Sequence, residues 1–128
     1  MIDDEHDTQT EVHYPRLRRW AHGLLPLEAA TELLIQSGYA QSDRPWMRWD
    51  EQEDRYWVDF AAIPDLIGGM SSGEKRVLRI VASLGSAQDH PVLISLEDEL
   101  PGLDRCTITL VLAAIAHAAG MRRMEGHA

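Results

Sequence analysis

The sequence predicts a small α/β domain of the α+β kind: a mixed three-stranded sheet, built from a hairpin and one buried strand, packed with about four helices. Three observations point to it. Apolar residues recur at helical spacing in several windows that end in glycine. Two aromatic-rich runs flank a polar four-residue break between Trp46 and Phe60. A proline then introduces the almost wholly apolar run Val92 to Leu96.

Residues 1–13, MIDDEHDTQTEVH, are acidic and nearly devoid of large apolar groups. Such a segment buries too little surface to offset its ordering entropy, and it reads as a flexible acidic tail. The single globular domain is expected over 14–120, with a frayed C-terminus over 121–128. Pro15 opens a short first helix that ends near Gly23. Arg16, Arg18 and Arg19 surround Leu17 and Trp20 there and form the basic cluster of the chain. Its expected partner is the tethered acidic tail. Pro26 to Ser37 forms a cleaner helix with Gly38 as terminator, and Leu27, Ala30 and Leu34 should face the core.

WMRWD, EQED and RYWVDF then read as strand, turn and strand. Alternation sets Tyr56, Val58 and Phe60 on one face and Trp57 and Asp59 on the other. Trp46, Trp49 and Trp57 make the hairpin a candidate contact surface, although cross-strand aromatic packing explains the same pattern. Ser71 starts the next helix, whose stripe is Val77, Leu78, Val81 and Leu84 and whose end is Gly85. Asp104 caps a last helix reaching about Ala119. That helix is apolar nearly all round, so it is expected to be central or to meet another subunit.

At 128 residues, with 45% apolar and 26% charged residues, the chain is long enough to bury a core without disulfides or metal. Cys106 is the one cysteine, which excludes an internal disulfide and a cysteine-pair zinc site; its apolar surroundings predict a buried, inert thiol. No metal site is expected. The histidines lack the helical i, i+4 spacing of a zinc-protease motif, and His117 reads as a core or interface residue. A net charge of −9 disfavours nucleic acid and anionic lipid as partners. No signal peptide is predicted. The longest apolar run, 110–119, is too short for a membrane span and is interrupted by His117, so a cytoplasmic location is expected. Lys75 is the sole lysine among the cations, a bias that suggests a GC-rich genome.

Two phrases between Met70 and Asp104, MSSGEKRVLRIVASL and VLISLEDELPGLD, resemble the second half of ABC-type ATPases. Ser71, Ser72, Gly73 and Glu74 resemble the family's signature motif, which begins a helix and contacts ATP held by an opposite subunit. The resemblance implies that Glu97 and Asp98 occupy the places of the magnesium-orienting and catalytic acids, in swapped order. It implies ATP and Mg as cofactors, held only with a partner ATPase. The chain has no G-x-x-x-x-G-K-[S/T] loop to cradle the phosphates. Each phrase also has a purely structural reading. Ser71 and Glu74 are spaced as a capping box, Glu97 to Glu99 form an acidic exit from a strand, and Asp104 is an N-cap.

The expected function is therefore non-catalytic and exerted through protein–protein contact, with a protein partner or self-association and no cofactor. The alternative is a degenerate ABC-type piece that touches nucleotide only alongside a partner ATPase.

Overall fold

The computed structural model describes residues 13–87 and 89–121. It is a mixed α+β fold with six helices and one two-stranded antiparallel sheet among those residues. Helix α1 covers 13–21 and α2 covers Leu25–Gln36. Strands β1, Met47–Asp50, and β2, Arg55–Val58, form the hairpin. A 3-10 turn, Phe60–Ala62, leads into the short helix α3, Ile63–Leu66. Then come α4, Ser72–Gly85, the one-turn α5, Leu96–Glu99, a 3-10 turn at Leu100–Gly102, and α6, Arg105–Ala118.

The core lies where α2, α4 and the hairpin meet. Helix α2 is the hub, with its most extensive contacts to α6 and α4. Its buried residues Ala29, Ala30, Leu33 and Leu34 belong to one core cluster with Val77, Leu78, Ile80 and Val81 of α4. Small residues on α2 let the helices approach closely, while the larger side chains fill the gap. Leu17, Leu34, Ile63 and Leu78 are fully buried, each contributing roughly 1.5–3 kcal/mol of burial free energy. The end of α2 is set by Gly38, whose φ of +90° suits a residue without Cβ. The Tyr39 N–H reaches back to the Leu34 carbonyl at 3.0 Å and closes the last turn.

The hairpin pairs Met47 with Val58 and Trp49 with Tyr56. Asp50 begins its turn: one carboxylate oxygen accepts from the Gln52 and Glu53 N–H groups. Asp54 takes the left-handed conformation, φ 55°, that Asp tolerates better than most residues. Trp49 and Tyr56 meet edge to face at 4.9 Å across the strands. Trp46 just precedes β1 and is a core residue, 1% exposed, so it lies inside the protein rather than on a contact surface. Its indole N–H donates to the Tyr39 carbonyl at 2.8 Å and ties the hairpin to the end of α2.

Four expectations are corrected. The third strand is absent, and Val92 to Leu96 is not buried on both faces. Residues 91–95 have no regular structure; Val92 and Ile94 lean on the core, whereas Leu93 is 87% exposed and Leu96 already starts α5. The run has β-forming composition but no second strand to pair with; the Val92 N–H goes instead to the Ser86 hydroxyl at 2.9 Å. The hairpin therefore stays two-stranded. His13, expected in the tail over 1–13, is helical and lies 2.8 Å from the Ala40 carbonyl through Nε2. Residues 1–12 and 122–128 lie outside the described residues. Cys106 is exposed, because it sits on the outward side of α6. Of the two places expected for α6, central or against another subunit, the structure removes the first: only Val111 and Ala114 are buried.

Candidate interaction surface

Helix α6 starts at Asp104, whose carboxylate accepts from the Thr107 N–H at 2.7 Å. That hydrogen bond holds the Asp104 carboxyl below its ordinary pKa. The helix ends with the Met121 N–H reaching the Ala116 carbonyl at 2.9 Å. Between Arg105 and His117 it carries no charged side chain. One stripe rests on α2. The opposite face carries Thr109 and Leu112, with Ala113 and Ile115 at its flanks. Leu112 is 61% exposed and Ile115 40%. Leu24, Leu25 and Met121 are also exposed, and Leu25 lies beside Gly120 at the end of the helix.

Helices α2 and α6 run antiparallel. A shallow notch of about 90 Å³ lies between them, lined by Ala29, Leu33, Leu110, Ala113 and Ala114 together with Glu32, Gln36 and His117. At one end His117 Nε2 and Glu28 Oε1 are 2.8 Å apart. The other Glu28 oxygen accepts from the Gly23 N–H at 2.7 Å and lies 3.6 Å from His22 Nδ1. The Gly23 N–H first, and His117 second, hold the Glu28 carboxyl below the usual range. Glu28 thus joins the turn before α2 to the last turn of α6.

The basic cluster is not assembled into one site. Arg18 makes a two-pronged contact with Glu32, at 2.8 and 3.0 Å. That pair lowers the Glu32 carboxyl and raises the Arg18 guanidinium. Arg16 donates to the Asp54 carbonyl in the hairpin turn. Arg19 is exposed. The expected pairing of these residues with the acidic tail falls on 1–12, outside the described residues. On the hairpin, Trp49 is half exposed at its tip, and Trp57 is partly buried on the face that carries the Arg48–Asp59 ion pair, 3.3 Å.

Ser71 and Glu74 form both hydrogen bonds of a capping box. The Glu74 N–H donates to the Ser71 hydroxyl at 3.3 Å, and the Ser71 N–H donates to the Glu74 carboxylate at 2.9 Å. The second bond holds the Glu74 carboxyl low. Ser72 and Gly73 follow in the first turn of α4. Glu97 and Asp98 are exposed on α5, and the Asp98 carbonyl accepts from Arg76. The buried acid of this turn is Glu99, 8% exposed and 3.4 Å from Arg79. Sequence reading grouped Glu99 with Glu97 and Asp98 as an acidic exit from a strand, because burial of the third acid in a row depends on which way a one-turn helix faces.

Among the described residues no three His, Cys, Asp or Glu side chains are placed to hold a metal ion. Among the same residues no helix is long and apolar enough to cross a membrane. Sequence reading singled out the Trp and Arg side chains and, with the aromatic hairpin, the apolar last helix as a contact surface; which side of α6 stays exposed was not legible in it. No protein-family model, curated protein or solved structure matches this chain.

Proposed function

We propose that the protein is a non-catalytic interaction module that works by protein–protein contact through the outward face of α6. The observation that carries this reading is the uncharged strip with Leu112 at its centre and Ile115 at its flank, exposed on a chain of net charge −9. Covering what remains exposed of Leu112 (61%) and Ile115 (40%) is worth roughly 1 kcal/mol per side chain. A contiguous patch of this kind marks a surface that another molecule covers. The Arg18–Glu32 and Arg16–Asp54 contacts hold the basic cluster against the fold itself, which leaves the helix face as the better contact surface.

The test places a photo-crosslinking residue at Leu112 of the full chain in the cell that makes it. A discrete covalent protein adduct is expected, with none from a crosslinker at Arg19. The competing reading has Ser71, Ser72, Gly73 and Glu74 contact ATP and Mg²⁺ beside a partner ATPase. It predicts calorimetric heat with ATP and magnesium in the presence of such an ATPase, lost in a Ser71→Ala, Gly73→Ala double variant. That heat, with no adduct at Leu112, overturns the interaction reading.

A further inference from the structure

We propose that the occupant of this face is a second copy of the same chain, with the two α6 helices antiparallel about a two-fold axis at Leu112. The proposal rests on the interaction reading above and names its partner.

Charge is the first argument. Two copies, each of charge −9, repel, and they repel least where they meet on a face free of acids. From Cys106 to Ala116 the helix offers no acid and no base, so two equally acidic copies can close there without burying an unpaired charge. A basic partner is recognised by carboxylates, and this strip presents none.

Register is the second argument. Arg105 lies seven residues before Leu112, and the C-cap Ala119 lies seven after it. Seven residues are about two helical turns, so all three stand close to one line along the helix. A two-fold axis at Leu112 then sets each Arg105 against the C-terminal turn of the other α6. That turn is the negative end of the helix dipole. A parallel pairing would instead bring the two Arg105 side chains together. Closed two-fold contacts of this self-complementary kind are the commonest form of protein self-association.

Size sets the strength. A helix of 14 residues is about 21 Å long. One such helix pair buries less than the ~1,200 Å² at which interfaces become tight, so the dimer should be reversible and of micromolar Kd or weaker.

The test uses the full chain. In a Cys106→Ser background, Leu112→Cys should form a disulfide-linked dimer under mild oxidation, because a residue on a two-fold axis meets its own copy. Leu93→Cys, exposed but distant in sequence from the strip, should crosslink at least tenfold more slowly. In sedimentation equilibrium the wild-type mass should rise above one chain across a dilution series to several hundred micromolar. Leu112→Asp should return it to one chain with an unchanged circular dichroism spectrum, and Arg105→Glu should weaken association several-fold. A wild type that stays at one-chain mass, or equal crosslinking by both cysteines, overturns self-pairing. A crosslinked adduct at Leu112 of a mass other than twice the chain also overturns it while the interaction reading stands.

Discussion

The ring of Phe60 occupies the space that a side chain on Gly85 would need: a Cβ built at Gly85 falls 2.6 Å from Cδ1 of the ring. The ring is held from its other side by Trp20, stacked at 6.4 Å with an interplanar angle of 19°. Gly85 is the last residue of α4, and its role is to admit an aromatic ring between the first helix and the fourth. Gly85→Ala should therefore lose roughly 1–2 kcal/mol, because overpacking outweighs the helix-propensity gain of alanine. Urea unfolding measures this. In a double-mutant cycle Phe60→Leu should reduce the penalty of the alanine, and strict additivity would show that the ring is not the obstacle.

Thr31 is 1% exposed on α2, and its hydroxyl is a buried side-chain polar atom without a hydrogen-bond partner. Replacing it by a methyl group removes the desolvation cost and keeps the shape. Thr31→Val should raise the unfolding free energy by about 1 kcal/mol. A loss of stability would reveal a hydrogen bond that the hydroxyl makes in solution.

Ser71→Ala removes one half of the capping box at α4 and should cost about 1 kcal/mol. The loss should be independent of ATP and Mg²⁺. Stabilisation of the wild type, but not of the variant, by millimolar nucleotide in a thermal melt would assign the serine to ligand instead.

Acid should destabilise the fold in a defined window. The Glu28, Glu32, Glu74 and Asp104 carboxyls all sit below their ordinary values of 4.5 for Glu and 3.8 for Asp. Each is lowered because the folded state hydrogen-bonds its ionised form. As pH falls, the unfolded chain takes up protons first, so folding opposes protonation. The stabilisation is complete above about pH 4.5 and is lost as pH falls through the lowered values. Urea midpoints should be flat from pH 7 to 5 and drop below that, and Glu28→Gln should shallow the drop. An unchanged slope in that variant would remove Glu28 from the set.

The local signals were legible in the sequence. S-x-x-E before an apolar run became the capping box of α4, and EQED between aromatic runs became the hairpin turn. Both depend on neighbours within a few residues. Val92 to Leu96 failed for the opposite reason: its composition favours a strand, but a strand also needs a partner that only the whole fold can bring near. Gly85 looked like a terminator, whereas its need is set by Phe60, twenty-five positions earlier. Helix α6 was read as apolar all round, and its composition left open which side would be covered. Leu112, Ile115 and Cys106 were consequently not separated from Val111 and Ala114.

Helix α6 is seated mainly on α2 and buries only two of its residues completely, against five for α4. Peeling it away would leave the α2–α4 centre closed. Its amides should therefore exchange with deuterium through a partial opening that costs less free energy than global unfolding, while those of α4 wait for the whole molecule to open.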